Sequence, residues 1–506
     1  MTSPANTRLP ISDDVEAVLP AAINRAHDWL KSTADEEDKA TEQLADLLRD
    51  EDGVKFTMDF VDRVMRPEDD KVAAHALKDI SSHYDPSFLG SINGALVGAG
   101  GFFGPILPNL VMPIARLYMR KMVGHLVLDA ESDALNEILD KAAESGEQLN
   151  LNLLGEAVLG EEEAKSRAER TLKLIQNPRV TYVSVKASSM VAQLNHWDID
   201  GSVERLKERL RPLYQAAADR TDKVFINMDM EEYHDLHLTI RLFKELLSEP
   251  EFLTLDAGIV LQAYLPDTFD ALKDVADFAK ERVAKGGGKV KVRIVKGANL
   301  SMESVQGEVH DWPLATYTNK LDVDANYYRL LDFILREEYA DSVRIGVATH
   351  NLYTAAMAYE LGKKRGVLHM MDSEMLQGMS PAQQAAVRKV FDGRQILYTP
   401  VVHADDFDVA VSYLVRRLEE NSAPQNFLYA LFAPGEEPLA DQEETFRRAI
   451  AKRWETFAGA RRTQNRLEED GRQAPRTGRF TNEADTDPAL APNRQWAQEA
   501  LKRNPG

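Results

Sequence analysis

The sequence predicts an α/β fold, a (β/α)8 barrel with an N-terminal helical arm and helical domain. Eight short apolar segments alternate with longer amphipathic segments over roughly 260 residues, the pattern and length of such a barrel. Polar or charged residues follow nearly every apolar segment, where the strands of a barrel end. The apolar segments are 149–154, 180–187, 224–229, 259–264, 290–296, 343–349, 367–371 and 396–402.

Between these segments lie stretches with helical periodicity, including 161–175, 203–218, 236–247, 268–284 and 325–338. A doubly wound open sheet is the structural alternative. That fold normally carries a glycine-rich phosphate-binding turn after its first strand, whereas the sequence here continues as Gly-Glu-Ala-Val after Leu154.

The chain before the barrel reads as helices. Apolar residues recur at helical spacing over 15–31, 36–48, 112–127 and 133–143, with many charges between them. We therefore assign 1–147 to an N-terminal helical arm and α-domain, 148–430 to the barrel and 431–476 to a helical extension. The arm is a candidate surface for homo-oligomer formation.

Residues 86–115 carry no charge, six glycines and four prolines. A membrane-spanning helix needs about twenty apolar residues, and glycine and proline interrupt this stretch too often to favour one. We expect a loop between helices, either buried or touching a membrane surface.

Composition excludes several classes of function. Lys plus Arg total 61 and Asp plus Glu total 82, a net charge of −21 that argues against nucleic acid as a partner. The chain has no cysteine, which excludes disulfides, thiolate metal sites, iron–sulfur clusters and a cysteine nucleophile. No signal peptide is recognisable at the N-terminus, so a cytoplasmic location is expected.

The polar residues at the predicted strand ends are candidates for chemistry, and basic groups among them indicate an anionic ligand. In Lys296-Gly297-Ala298 the glycine allows close approach of the backbone, and the lysine can meet a pyrophosphate. The strand-end candidates are Glu156, Lys186, Asp229, Gln262, Tyr264, Arg293, Lys296, Thr349, His350, Asn351, Glu374 and Tyr398.

A second basic group follows the last strand. Tyr413, Arg416 and Arg417 are three and four residues apart, so a helix presents them on one face. Two adjacent arginines can clamp a carboxylate or a phosphate. The alternative is a solvated pair of arginines neutralised by Glu419 and Glu420.

One pair of histidines is a candidate metal site. His234 and His237 are spaced to share a helix face, but no third ligand stands at a strand end, and a solvated helix surface is the simpler interpretation. We therefore expect no metal.

Six segments occur together in the order found in one family. They are 183–186, 226–229, 260–264, 292–298, 348–351 and 413–421. This set resembles proline dehydrogenases, most closely the dehydrogenase half of the proline utilization A family. Residues 481–494 resemble the first residues of that family's aldehyde dehydrogenase half. We therefore predict 477–506 to be a linker and the start of an aldehyde dehydrogenase domain that is absent from this chain.

The resemblance implies an FAD-dependent proline dehydrogenase. Such an enzyme oxidises L-proline to Δ1-pyrroline-5-carboxylate, the first step of proline catabolism to glutamate. Hydride passes from C5 of proline to N5 of the flavin once the amine has lost its proton, and the electrons pass on to a quinone. A quinone acceptor implies transient contact with the inner face of the cell membrane, for which Phe102-Phe103 is a candidate.

The resemblance also implies roles for single residues. The proline carboxylate would be held by Lys186, Arg416 and Arg417, and the ring by Tyr398, Tyr413 and Leu376. Arg293 would stabilise negative charge on the reduced flavin, and Asp229 would orient the cations. The FAD-binding residues implied are Gln262, Arg293, Lys296, Gly297, Ala298, Thr318, Lys320, Thr349, His350, Asn351 and Glu420.

Two other functions remain open. A lysine at a strand end, Lys186 or Lys296, could form a Schiff base in a lyase. Alternatively, the chain could be a non-catalytic scaffold whose acidic helical arm binds a partner.

Overall fold

The structure of the chain is a computed structural model. It describes residues 13–33, 51–65, 67, 69–84, 101, 106–109, 111–114, 127–130, 133–155, 158–403, 410, 413, 417, 420–421, 423–433, 435–469 and 482–503.

Eight parallel strands form a closed barrel, as the sequence predicted. Each strand pairs with the next along the chain, and β9 pairs with both β8 and β2, which closes the ring. A two-residue strand, β1 (Leu128–Asp129), pairs with the carboxyl end of β9. The barrel strands are β2 Gln148–Leu153, β3 Tyr182–Lys186, β4 Phe225–Asp229, β5 Ala257–Gln262, β6 Val290–Val295, β7 Val343–Ala348, β8 Met371–Leu376 and β9 Gln395–Val402.

Helices connect the strands and cover the outside of the barrel. Parallel strands require such crossover connections. The N-terminal helices are α1 Asp14–Thr33, α2 Glu51–Phe60, α3 Asp70–His83 and α4 Asp133–Ser145. The later helices are α5 Glu161–Gln176, α6 Ile199–Asp219, α7 Leu236–Leu247, α8 Thr268–Ala284, α9 Leu300–His310, α10 Lys320–Ile334, α11 Glu337–Ala340, α12 Leu352–Lys364, α13 Pro381–Val390, α14 Phe427–Phe432, α15 Glu437–Lys452 and α16 Ala491–Arg503.

Strand β6 illustrates how the barrel is filled. Val290, Val292 and Ile294 are fully buried in the apolar core. The alternate residues, Lys291 and Arg293, are also buried, at 1% and 3% exposure. Because successive side chains of a strand point to opposite faces, these two charged groups point into the barrel. The barrel interior is therefore partly ionic.

The prediction for the seventh strand was wrong. The apolar pattern predicts a strand at 367–371. In the structure, Leu368–Met370 form a 3-10 turn, and the strand starts at Met371. The true strand contains Asp372, Ser373 and Glu374, all buried. This strand was not recognised in the sequence because its inner face is polar, and an apolar pattern identifies only strands whose inner face is apolar.

Helix α1 covers the predicted 15–31 and packs on α12. Arg25 pairs with Glu360 at 2.5 Å, and Glu16 pairs with Arg453 at 2.6 Å, so ion pairs connect the arm to the barrel and to the helical extension. The helices predicted at 36–48 and over most of 112–127 lie outside the described residues.

A second, smaller core lies at the carboxyl ends of two strands. Phe56, Phe60 and Leu77 from α2 and α3 pack with Leu154 and Val402, which follow and end β2 and β9. Within the described part of the chain, no helix combines the length and the apolar character needed to cross a membrane. Most of 86–115, including Phe102-Phe103, lies outside that part.

Candidate active site

Asp229 is the centre of a hydrogen-bonded group at the carboxyl end of the barrel. It is the last residue of β4 and lies beside Lys186, the last residue of β3. Its Oδ1 accepts hydrogen bonds from Ser184 Oγ at 3.0 Å and Asn227 Nδ2 at 2.9 Å. Its Oδ2 accepts one from the Tyr398 hydroxyl at 3.1 Å. The carboxylate is therefore held in one orientation.

Arg293 joins Asp229 to Glu374. Its Nη1 donates to Asp229 Oδ1 at 3.0 Å and its Nε to Glu374 Oε2 at 2.5 Å. Burial disfavours its charge, but Glu374 and Asp229 more than offset that effect and raise the pKa of Arg293. Its Nη2 is buried and has no hydrogen-bond partner among the described residues. One donor of a permanently charged group is thus left for a ligand.

A layer of charges supports Arg293 from inside the barrel. Lys291 lies 2.6 Å from Glu374 Oε1 and 3.0 Å from Asp372 Oδ2. Although burial opposes ionisation of the acid, Arg293 and Lys291 lower the pKa of Glu374. Glu374 is accommodated because residue 346 is glycine: a Cβ there would collide with the Glu374 carboxylate.

Tyr398 connects this group to the helix after β9. The Tyr398 hydroxyl accepts a hydrogen bond from Asn152, and its ring lies 5.4 Å from the guanidinium carbon of Arg293. Burial is the largest cause that raises the pKa of Tyr398, and the charge of Arg417 lowers it. The guanidinium of Arg417 lies 5.1 Å from the ring centre of Tyr413.

Both described cations proposed for the substrate carboxylate already have carboxylate partners. Lys186 Nζ lies 2.9 Å from Glu231 Oε1, and Arg417 Nη1 donates to Glu420 Oε2 at 2.7 Å. A substrate carboxylate would therefore have to share or displace these partners. Arg416, the third predicted cation, lies outside the described residues.

Two further polar atoms at the strand ends lack partners among the described residues. Gln262 ends β5; its Nε2 donates to the backbone oxygen of Glu231 at 3.0 Å, but its buried Oε1 has no donor. His350 follows β7; its Nε2 accepts from the amide of Leu376 at 2.9 Å, which leaves the proton on Nδ1. That buried Nδ1 has no acceptor. Burial, with Arg417 nearby, lowers the pKa of His350 to about 4, so the ring is neutral.

The segment after β6 forms a turn that only glycine fits. Gly297 has φ +117°, and a Cβ at this position would collide with the ring of Tyr264. Next to it, Lys296 Nζ lies 2.5 Å from Asp324 Oδ1, and Lys320 pairs with the same carboxylate. Desolvation, together with the charge of Lys320, lowers the pKa of Lys296 to about 8. Two cations sharing one anion leave a net positive charge beside the turn.

The remaining predicted residues differ in how closely they join this site. Asn351 Oδ1 caps helix α12 by accepting from the amide of Thr354 at 3.2 Å, and Thr349 Oγ1 accepts from the amide of Asn351 at 3.0 Å. Ala298 and Thr318 are exposed. Thr318 follows Tyr317, whose amide donates to the Tyr264 oxygen at 2.8 Å, so its segment lies against the end of β5.

Several residues of the site were missed by the sequence analysis. Glu231, Lys291 and Ser184 contact predicted site residues, and so does Asn152. A signal for Asn152 was present, since asparagine alternates with leucine along β2, and interior positions of a barrel recur at every second residue. Glu231 lies beyond its strand and carries no such signal.

These features fit a flavin nucleotide. The unpartnered Gln262 oxygen, Arg293 Nη2 and His350 Nδ1 match a planar heterocycle that both donates and accepts hydrogen bonds. The glycine turn and the two lysines suit a diphosphate, which needs close backbone approach and positive charge.

Comparisons with known proteins identify solved structures of one kind that are similar to this chain. Proline utilization A from Corynebacterium freiburgense is 56% identical, with a TM-score of 0.67, over 76% of this chain and 36% of its own. The Bdellovibrio bacteriovorus protein inactivated by N-propargylglycine is 25% identical, with a TM-score of 0.74, over 96% of this chain and 48% of its own. The chain thus spans less than half the length of either. No curated protein matches it significantly.

A model of the proline dehydrogenase family matches residues 134–430, more than half of the chain and the whole of the barrel. The matched region contains the Asp229 group, the glycine turn and Arg417. The chain therefore belongs to the proline dehydrogenase family.

Proposed function

We propose that the protein is an FAD-dependent dehydrogenase that oxidises L-proline to Δ1-pyrroline-5-carboxylate. The observation that carries this proposal is the set of three unpartnered polar atoms on Gln262, Arg293 and His350. They lie within two residues of the carboxyl ends of three consecutive strands, β5, β6 and β7, and two of them donate while one accepts. Family membership supports the choice of proline as the substrate.

Bound FAD would accept the hydride that leaves C5 of proline. Gln262, Arg293 and His350 would hold the flavin ring, and Lys296, Gly297 and Lys320 the diphosphate. The fixed charge of Arg293 would favour electron-rich flavin, because a preorganised cation stabilises developing negative charge without reorganisation. Asp229 and Glu374 keep that guanidinium in place.

Arg417, Arg416 and Lys186 would bind the proline carboxylate, and Tyr398, Tyr413 and Leu376 would enclose its ring. Tyr398 is well placed to keep one orientation, since its hydroxyl both accepts from Asn152 and donates to Asp229. Orientation of C5 toward the acceptor is the main task of the protein in such a transfer. The proline amine must lose its proton before the hydride leaves.

The absorption spectrum of the purified protein tests this proposal. After reconstitution with FAD, we expect flavin bands that bleach when L-proline is added without oxygen. Persistent absence of bound flavin after reconstitution would refute the cofactor assignment. Bound flavin that proline fails to bleach would refute the substrate assignment.

A Schiff-base lyase remains a second candidate because of Lys296. Its pKa of about 8 is typical of a lysine that attacks a carbonyl, since more of the amine is unprotonated near neutral pH. Its ion pair with Asp324 argues against this role. Borohydride trapping of a carbonyl substrate on Lys296, identified by mass spectrometry of the peptide, would support the lyase instead.

The electron acceptor is proposed to be a membrane quinone. Family membership and the uncharged stretch at 86–115 support this step and a peripheral location at the membrane. Proline-dependent reduction of a short-chain quinone, with cosedimentation of the protein with anionic vesicles, tests both. Failure with every quinone alongside turnover with an artificial dye would overturn the acceptor assignment alone.

A further inference from the structure

Two histidines and an aspartate meet beside the barrel mouth, and none of the three is among the residues proposed to act on proline. His196 Nε2 lies 2.7 Å from Asp235 Oδ1, and His234 Nε2 lies 3.5 Å from the same oxygen. The three ligand atoms all lie within 4.8 Å of one another. Asp235 is buried, and both histidines are partly buried.

The cluster joins two loops that are distant in sequence. His196 lies in the connection between β3 and α6, and His234 and Asp235 lie in the 3-10 turn Tyr233–Asp235 after β4. The sequence spacing pairs His234 with His237 instead, and for that pair a solvated helix surface is the simpler interpretation. His237 lies on α7 and is exposed. The ligand that the sequence spacing did not provide is His196, from another part of the chain.

A carboxylate on the other side of His234 fixes its tautomer. Glu232 Oε2 lies 3.3 Å from His234 Nδ1, so the ring proton belongs on Nδ1. Outer carboxylates of this kind orient metal-binding histidines and raise their basicity. In a neutral ring, the lone pair of His234 Nε2 then faces the Asp235 carboxylate at 3.5 Å.

A cation between the two groups suits this arrangement. A lone pair against a carboxylate oxygen is repulsive unless positive charge lies between them. The two rings are close enough to share one ion, because the ring centres of His196 and His234 are 4.3 Å apart. The negative charges of Glu231 and Glu303 add to the local excess of acid. One divalent ion bound to two neutral imidazoles satisfies all these groups.

We propose that His196, His234 and Asp235 form a binding site for a divalent transition-metal ion such as Zn²⁺. Nitrogen and carboxylate ligands suit this ion. Its tetrahedral geometry places ligand atoms about 3.3 Å apart, and the two histidine nitrogens lie 2.7 and 3.5 Å from Asp235 Oδ1, on either side of that value. Water completes the coordination, and Glu232 is the outer partner of His234. The ion cross-links the loops after β3 and β4.

Titration calorimetry of the full chain, freed of metal by a chelator, tests the proposal. We expect one Zn²⁺ per chain, with affinity reduced about 100-fold or more in His196→Ala and His234→Ala. Glu232→Gln should reduce the affinity about 10-fold. His237→Ala is the matched control and should bind as the unmodified protein does. No binding, or binding unchanged in both cluster variants, would overturn the site.

A second measurement uses only the unmodified protein, so it tests the site even if the histidine variants do not fold. X-ray absorption at the zinc edge of the unmodified protein, loaded with one equivalent, counts its imidazole ligands. Two imidazoles support the site, and none or one overturns it. Zn²⁺ should also raise the thermal midpoint of the unmodified protein, but not that of His196→Ala.

Discussion

The ammonium of Lys291 lies 2.6 Å from the carboxylate of Glu374, inside the barrel and two residues before Arg293 on the same strand. Glu374 holds Arg293 with its other oxygen, at 2.5 Å. The Glu374 carboxylate therefore lies between two buried cations, which also pair with Asp372 and Asp229, and Arg293 keeps an unpartnered Nη2 for a ligand. Lys291 thus contributes to the orientation of Arg293 without touching a ligand itself.

We predict that Lys291→Met lowers the free energy of unfolding by about 3–5 kcal/mol, because removal of one partner leaves buried charge uncompensated. Chemical denaturation of the apoprotein measures this change. Glu374→Gln in the same chain should recover a large part of it, since the excess negative charge is then gone.

The matched control is Lys244→Met, which removes a lysine paired with Asp274 on the surface at 2.7 Å. Its cost should stay within about 1 kcal/mol, because exposed ion pairs contribute little. Equal losses in the two lysine variants would show that burial of the Lys291 pair is unimportant.

The barrel itself could be predicted because its strands and helices carry the two hydrophobic periods. Seven strands were located within about three residues. The remaining strand, β8, which is the seventh strand of the barrel, was misplaced because Asp372 and Glu374 contact cations inside the barrel instead of apolar neighbours. A local pattern contains no information on partners that lie 81 residues away, as Arg293 and Glu374 do.

The site was predictable where strand ends gather residues, and less so elsewhere. Asp229, Arg293 and Tyr398 meet as expected, because parallel strands of a barrel end at one mouth. The pairing of Lys186 with Glu231 was not foreseen, since it depends on how the chain turns after β4. His196 and His234 are similar: two loops meet only after the barrel closes.

Arg417→Met should raise the KM for proline about 100-fold or more while FAD stays bound. The variant removes a charged hydrogen-bonding group that would bind the substrate carboxylate. Steady-state kinetics and the flavin content of the same sample measure the two effects. Arg447→Met, which breaks the comparable pair with Glu443 on α15, is the control and should leave the KM unchanged. An unaltered KM in Arg417→Met would contradict the carboxylate site.

The affinity of the apoprotein for FAD should fall as the pH rises above 8. Lys296 has a pKa of about 8, so it loses its charge over this range, and a neutral amine no longer attracts the diphosphate. Below pH 7 the lysine is protonated and the affinity should be constant. Each pH unit well above 8 should weaken binding up to about tenfold, as measured by quenching of flavin fluorescence.

The control for this profile is Lys285→Met, since Lys285 is exposed at the end of α8. That variant should keep the pH dependence of FAD binding, whereas Lys296→Met should bind more weakly at pH 7 and show a flatter profile. A slope that survives in Lys296→Met would assign the titration to another group.

Gly297→Ala should destabilise the protein by about 3 kcal/mol or more and abolish tight FAD binding. Two effects combine, because φ is +117° at this position and the new Cβ collides with the Tyr264 ring. Gly286→Ala separates them: Gly286 has φ +80°, but a Cβ there meets nothing within 4 Å. It should cost only about 1 kcal/mol from backbone strain. Similar losses in both variants, measured by denaturation, would mean that strain alone matters and that the contact with Tyr264 does not shape the turn.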